Sequence, residues 1–65
     1  MYEHTVYLSD MVDGYPVRET VIASRVFVEN GDLIFYRADD SGYDRFVAAY
    51  ARGTWIKVER REAVA

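Results

Sequence analysis

A chain of 65 residues is long enough for one small domain, and it contains no cysteine, which excludes disulfide bonds, thiolate zinc sites and a cysteine nucleophile. Hydrophobic residues make up 51% of the chain and aromatic residues 15%, a composition typical of globular proteins. The net charge is −3, and most basic residues follow position 44. We expect one domain over residues 1–65, with self-association supporting its small core.

The N-terminal stretch, "MYEHTVYLSD", contains the first predicted strand, near Glu3–Leu8, in which Val6 and Leu8 share a face and Tyr7 points the other way. It has no basic region followed by an apolar run, and nowhere does the chain approach the roughly 18 apolar residues that a membrane span needs. We therefore expect a cytoplasmic protein without membrane contact. His4 lies beside charged residues near the terminus, a position typical of a surface side chain.

The middle of the chain predicts a β-hairpin. The run "ETVIASRVFVE" is rich in β-branched residues and predicts one long strand over Val17–Glu29. Asn30 and Gly31 follow it, and this pair favours a type I′ turn, whose two central residues both need positive φ. The chain then returns as a third strand over Asp32–Ala38, which gives a hairpin at about Val21–Ala38.

The stretch "YDRFVAAYARGTWIKVER" supports two interpretations. As a helix at about 42–52, it would have Ser41 as its N-cap and Gly53 as its C-terminal stop. As a strand, "DDSG" is a hairpin turn, the fourth strand covers Arg45–Ala51, and "RG" turns the chain into a fifth strand over Thr54–Arg60. The strand is favoured, because a helix of about ten residues is marginal and the other turns are equally short.

These elements predict an all-β fold, a five-stranded antiparallel meander curled into a small SH3-like barrel. The alternative is an α+β fold with a helix at about 42–52 on a four-stranded sheet. The predicted core residues are Val6, Leu8, Ile22, Val26, Val28, Leu33, Phe35, Val47, Ile56 and Val58. The opposite apolar face of the strands has no further layer to cover it in a single domain, so we expect a homo-oligomer.

Three stretches between about Arg25 and Arg60 resemble a known group of proteins. They are "RVFVENGDLIFYR", followed by a hydrophilic turn, then "FVAAYARGTW", and then "VER". In this order they resemble small uncharacterised proteins of actinobacterial phages and prophages, which typically have a β-hairpin followed by such an alanine- and aromatic-containing segment. The resemblance implies a compact all-β fold and a phage origin. It implies no activity and no site residues.

The sequence carries no recognisable catalytic or metal-binding pattern. Asp39, Asp40 and Asp44 are carboxylates of the kind that bind Ca²⁺ or Mg²⁺, but their spacing matches no EF-hand loop, and Asp is common in turns. A nucleophile elbow, a phosphate-binding glycine loop and paired catalytic carboxylates at known spacing are missing from the sequence. We therefore expect no enzymatic activity, no metal and no cofactor.

The expected function is a non-enzymatic protein-interaction module, a phage accessory protein that self-associates or binds a host protein in the host cytoplasm. Apolar and aromatic side chains on the uncovered face, with nearby basic ones, are the expected contact residues. The residues predicted to bind the partner are Phe27, Ile34, Tyr36, Tyr50, Trp55, Arg52 and Lys57.

The alternative function, from a different class, is a small nucleic-acid-binding β-barrel. Aromatic residues on its strands would stack on bases while basic residues follow the phosphates. The aromatic candidates are Tyr36, Phe46, Tyr50 and Trp55. The isoelectric point near 4.9 disfavours this function, so nucleic acid is not the expected partner.

Overall fold

The computed structural model describes residues 1–62, which form six β-strands and no helix. The strands are β1 (Tyr2–Val12), β2 (Tyr15–Ala23), β3 (Arg25–Glu29), β4 (Asp32–Ala38), β5 (Asp44–Tyr50) and β6 (Trp55–Glu62). They make two three-stranded antiparallel sheets, β2-β1-β6, called sheet one, and β3-β4-β5, called sheet two. The predicted all-β antiparallel class is confirmed, and the alternative helix at about 42–52 is wrong, since β5 occupies that segment.

The two sheets are connected at Ser24, where the predicted single strand over Val17–Glu29 divides into β2 and β3. Arg25 is the register partner of Tyr36, and the Ser24 N–H also donates to the Tyr36 carbonyl, at 2.9 Å. Two residues that face one residue of the neighbouring strand form a β-bulge. Because side chains alternate along a strand, this extra residue exchanges the core-facing and outward-facing positions on either side of Ser24.

The core lies between the sheets, and the Cα trace measures 42 × 29 × 12 Å, a thickness that fits two sheets packed about 10 Å apart. Its buried hydrophobic residues are Val6, Val21, Ala23, Leu33 and Phe35. Partly buried residues packed against them are Leu8, Val26, Ala48, Tyr50, Trp55 and Val58. On β2, before Ser24, the core-facing residues are therefore the odd-numbered Val21 and Ala23. On β3, after Ser24, the core-facing residue is the even-numbered Val26.

For four residues, the prediction of a core position is wrong. Ile22 lies on the outer face of sheet one. The bulge at Ser24 shifts the alternation, so Val21 and Ala23 occupy the core positions of β2 instead. Val28 is 62% exposed at the free edge of β3. Val47 and Ile56 are also exposed, since each is the extra residue at a register shift, opposite β4 and β1 respectively.

Two hairpins close on two-residue turns in which both residues have positive φ. Asn30 and Gly31 have φ of 52° and 85°, which confirms the predicted turn, and Asp13 and Gly14 have φ of 53° and 81°. A further turn at Gly53, with the Thr54 N–H donating to the Ala51 carbonyl at 3.0 Å, leads from β5 into β6.

The strand count is six in place of the predicted five, because the bent segment around Ser24 counts as two strands. No ladder joins sheet one to sheet two within residues 1–62, so the predicted closed barrel is not confirmed. The same residues contain no helix long and apolar enough to cross a membrane.

Candidate interaction surface

The outer face of sheet two carries a cluster of apolar and aromatic side chains. We call it the aromatic face and define it as Phe27 on β3, Ile34 and Tyr36 on β4, and Phe46 on β5. The ring centroids of Phe27 and Tyr36 are 5.8 Å apart, and those of Tyr36 and Phe46 are 6.5 Å apart. Both pairs meet edge to face, an arrangement that aromatic rings favour, so the three rings form one row across the sheet.

The strand register places these side chains together. Phe27 pairs with Ile34, and Tyr36 pairs with Phe46, so all four share the face opposite the core residues Leu33 and Phe35. The rings remain accessible: Phe27 is 46% exposed and Phe46 is 64% exposed. Within the described residues, no further layer of the chain covers this face.

Charged groups lie at both ends of the aromatic face. At one end the Arg25 Nε and the Asp44 carboxylate are 3.8 Å apart, a long and exposed ion pair. At the other end Glu29 pairs with Asp32, and the Asp32 carboxylate accepts the backbone N–H of Arg52 at 2.8 Å. The surface is therefore an apolar row with a mixed, mainly acidic rim, which is how protein-binding surfaces are commonly built.

The outer face of sheet one has a different character, and it is where Lys57 lies. The Lys57 ammonium is 4.6 Å from the centroid of the Tyr7 ring, and the Tyr7 hydroxyl donates to the Glu59 carboxylate. The Arg61 guanidinium lies 2.6 Å from the Glu3 carboxylate. The charged side chains of this face thus pair with one another across β1 and β6, and Lys57 is on the opposite side of the molecule from the aromatic face.

Tyr50 and Trp55, two further predicted partner-binding residues, point toward the core. Tyr50 packs edge to face on Phe35 at 6.1 Å and donates its hydroxyl proton to the Glu19 carboxylate at 2.7 Å. Burial, and then this carboxylate, raise the pKa of Tyr50 to about 12. The Trp55 Nε1–H donates to the Gly31 carbonyl at 2.9 Å, which fastens β6 to the turn of sheet two.

Arg52 lies in the connection between β5 and β6, with its side chain against Gly31. The structure therefore brings together Phe27, Ile34 and Tyr36 of the predicted set and separates the other four from them. It adds Phe46, which the predicted partner set omits. A strand without a bulge would put Phe46 on the same face as Tyr50, but the register shift at Val47 turns it outward, and nothing in "FVAAY" marks that shift.

His4 is the most polar group of the core, and its predicted surface position is wrong. It is 1% exposed, with its ring 5.0 Å from the Phe35 ring and Nδ1 3.3 Å from the Val21 carbonyl, to which it donates in the neutral ring. Burial lowers the pKa of His4, and the nearby Arg60 lowers it further against the opposing effect of the Val21 hydrogen bond. A neutral, hydrogen-bonded imidazole in this position helps to fill the core.

Asp39 organises the turn before β5. Its carboxylate accepts the backbone N–H groups of Ser41 and Tyr43, at 2.9 and 3.0 Å, and the Arg45 Nε–H at 2.8 Å. Arg45 first, and then these backbone donors, hold the pKa of Asp39 below its usual value. Its oxygens are thus engaged in the turn, and residues 1–62 contain no cluster of three or more His, Asp or Glu side chains that could hold a metal ion.

Comparison with known proteins gives no assignment, since no protein-family model, no curated protein and no solved structure matches the chain.

Proposed function

We propose that the chain is a non-enzymatic protein-interaction module that binds its partner through the aromatic face. The observation that carries the proposal is the row of three rings, Phe27, Tyr36 and Phe46, which stack edge to face on an exposed sheet surface. Contiguous exposed apolar surface is uncommon on soluble monomers and marks binding sites, and aromatic residues contribute much of the binding energy at protein interfaces.

In keeping with the resemblance to phage proteins, the proposed role is that of a phage accessory protein in the host cytoplasm, with a second copy or a host protein as partner. The mixed rim of the aromatic face suits a protein surface with an apolar centre. Arg25 and Asp44 would contact polar groups at one end, and Glu29 would contact basic groups at the other.

We also propose that the fold is an open form of the SH3-like barrel. The support is the bent segment at Ser24, through which β2 and β3 serve one sheet each, together with the return of β6 to β1. Counted as one bent strand, β2 and β3 give the five strands of that barrel. A solution structure with continuous ladder bonds around the corner at Ser24 would support it, and two sheets that stay separate there would contradict it.

Nucleic-acid binding has less support, because the aromatic row lies on sheet two while Lys57, Arg60 and Arg61 lie on β6 of sheet one. The basic residues of sheet two include Arg25 and Arg45, which face the carboxylates of Asp44 and Asp39. Base stacking and phosphate contacts have to occur along one surface. Lys57 and Arg61 are on the outer face of sheet one, where the Tyr7 ring and the Glu3 carboxylate already engage them. Salt-sensitive binding of single-stranded DNA or RNA by the wild-type chain would overturn the preference for a protein partner.

The test compares two exposed apolar residues on different sheets. Phe46→Ser removes a ring from the aromatic face, whereas Ile56→Ser removes a comparably exposed side chain, 55% against 64%, from β6. Pull-downs from an actinobacterial host lysate should retain a specific partner with the wild type and with Ile56→Ser and lose it with Phe46→Ser. Equal retention by all three proteins would contradict the proposed surface, provided circular dichroism shows that each is folded.

A further inference from the structure

The free edge of β3 is the least protected of the sheet edges. Within residues 1–62, β2, β3, β5 and β6 each lie at an edge, and edge strands pair with other chains unless proline, charges or bulges prevent it. β2 contains Pro16, β5 and β6 contain the bulge residues Val47 and Ile56, and β6 has five charged residues among its eight. β3 has only Val26, Phe27 and Val28 between its end residues, and Val28 is 62% exposed.

The sequence of β3, Arg-Val-Phe-Val-Glu, is complementary to itself when two copies run antiparallel. With Phe27 on a two-fold axis, Arg25 lies opposite Glu29 of the second copy, and Glu29 lies opposite its Arg25. Val26 then lies opposite Val28 of the second copy. Opposite charges at both ends and apolar residues between them are the pairs that stabilise neighbouring strands.

The hairpin turn determines which backbone groups of β3 are free. A two-residue turn joins the Glu29 carbonyl to the Asp32 N–H, and hydrogen-bonded pairs alternate with non-bonded pairs from there. The backbone groups of Arg25, Phe27 and Glu29 therefore point toward β4, and those of Val26 and Val28 point away from the sheet. In the register centred on Phe27, these free groups face their counterparts and form four N–H···O=C bonds.

We propose that a second copy of this chain binds the free edge of β3 in this antiparallel register and forms a two-fold symmetric dimer. The proposal rests on the self-association part of the proposed function and adds the edge and the register. The edge of β3 that faces away from β4 is open, because the β1–β2 ladder ends at Tyr2 and Ala23 and no described strand continues from it along that edge. Between that end and Phe27 lies an open groove of about 310 Å³, lined by His4, Ser24, Arg25, Val26, Phe27 and Arg60.

The dimer joins two copies of sheet two into one six-stranded sheet. Phe27 of each copy meets at the axis, so the two aromatic faces become one row of six rings on the same side of the sheet. A strand of five residues gives a contact smaller than a standard interface, so the dimer dissociates on dilution.

The register is tested with single-cysteine variants, which are unambiguous because the chain has no cysteine of its own. Phe27→Cys places two thiols opposite each other at a non-hydrogen-bonded pair, where Cα atoms lie about 4.5 Å apart, within the range that a disulfide spans. Mild oxidation should convert this variant to a covalent dimer. Phe46→Cys is the matched control, because two copies of β5 lie five strand spacings apart in the dimer, about 24 Å.

Charge exchange tests the same register without oxidation. Arg25→Glu and Glu29→Arg should each weaken dimerisation at least about tenfold, because like charges then face each other at both ends of β3. An equimolar mixture of the two variants should dimerise as well as the wild type, since every acid then faces a base. Arg25→Glu also disturbs the pair with Asp44, and the mixture controls for this.

The outcomes distinguish the proposed β3 dimer from the more general proposal that the chain self-associates or binds a host protein. Cross-linking of Phe27→Cys alone, with recovery in the charge mixture, supports the β3 dimer. Cross-linking of both cysteine variants means that the copies meet face to face, which overturns the β3 edge but keeps self-association. A wild-type mass of 7.5 kDa at all concentrations up to about 1 mM, with neither variant cross-linked, overturns self-association as well and leaves host-protein binding to be judged by the Phe46→Ser pull-down.

Discussion

The two sheets of this small protein differ in what their outer faces leave unpaired. On sheet one, side chains that point to solvent bind one another across strands, as Glu3 does with Arg61 and Tyr7 with Glu59 and Lys57. On sheet two, the aromatic face has ring contacts along the surface, and no other part of residues 1–62 forms a layer above it. In the proposed function, sheet one serves as the scaffold and sheet two carries the binding surface.

The core-facing sides of the two sheets also differ, and again sheet one is the more polar. Sheet one contributes a histidine, His4, to the core, and its buried apolar residues are the small side chains Val6, Val21 and Ala23. Sheet two contributes Leu33 and the ring of Phe35, on which His4 and Tyr50 both pack edge to face. Sheet two is therefore apolar on both faces, and one strand, β4, supplies central residues to each.

The largest predicted effect distinguishes the two faces of β4 at neighbouring positions. Phe35→Ala should cost about 3–5 kcal/mol, because it empties the centre of the core, and a domain of this length has only about 3–10 kcal/mol of stability in total. Tyr36→Ala removes two edge-to-face contacts on the exposed side and should cost about 1 kcal/mol.

Denaturant titrations followed by circular dichroism measure both variants at Phe35 and Tyr36. We expect Phe35→Ala to be largely unfolded in buffer and Tyr36→Ala to be folded. Similar losses for the two variants would mean that the aromatic face supports the fold as much as the core does, which would weaken the case for a surface reserved for binding.

The sequence predicts the elements of sheet two well and their faces poorly. The pair Asn30-Gly31 specifies a turn with positive φ, and β-branched and aromatic runs specify strands, because both signals act within a few residues. The bulges at Ser24, Val47 and Ile56 carry no such local signal. Each lies where the chain passes between or along the sheets, and each reverses the alternation from which a core and a surface are inferred.

The candidate surface shows the consequence of those bulges. Phe27, Ile34 and Tyr36, three of the residues predicted to contact a partner, lie together on one face, since no bulge separates them across β3 and β4. The shift at Val47 puts Phe46 and Tyr50 on opposite faces, so Phe46 lies with the three outward-facing residues and Tyr50 lies on the core side. Hydrogen bonds between distant residues, such as Trp55 to Gly31, decide which other aromatic rings are withdrawn from the surface.

A prediction of intermediate size concerns the stability lost when glycine is replaced in the two-residue turn of each sheet. Gly14 and Gly31 occupy equivalent positions in two-residue turns, with φ of 81° and 85°, and alanine at such φ costs about 1–2 kcal/mol. Among residues 1–62, a Cβ at Gly14 would meet nothing within 4 Å, whereas one at Gly31 would lie 2.6 Å from Cδ and 2.7 Å from Cγ of Arg52. Gly31→Ala should therefore cost about 1 kcal/mol more than Gly14→Ala.

The double variant Gly31→Ala with Arg52→Ala separates the two causes of this loss. If the Arg52 side chain is responsible for the excess, the double variant should return to the cost of Gly14→Ala, as measured by thermal melts of all four proteins. An excess that persists without the Arg52 side chain would assign it instead to the turn itself, including the hydrogen bond from Trp55 to the Gly31 carbonyl.

The smallest predicted effect is a pH dependence of stability that comes from sheet one. Burial, with Arg60 nearby, lowers the pKa of folded His4 below the ordinary value of 6.5, so the unfolded chain takes up a proton at higher pH than the folded chain does. The contribution of the neutral ring is therefore complete above about pH 6.5 and is lost as the pH falls toward the folded pKa. Asp39, whose pKa is lowered from 3.8, loses its contribution only in more acidic solution, which leaves the interval below about pH 6.5 and above the titration of Asp39 for His4. Melting temperatures should fall across that range in the wild type.

His4→Leu should melt at a lower temperature than the wild type at every pH, because the Val21 carbonyl loses its donor, but its melting temperature should depend less on pH. If His4→Leu kept the wild-type slope, the proton uptake would have to come from another group, and the polar inner face of sheet one would be no more sensitive to acid than the apolar inner face of sheet two.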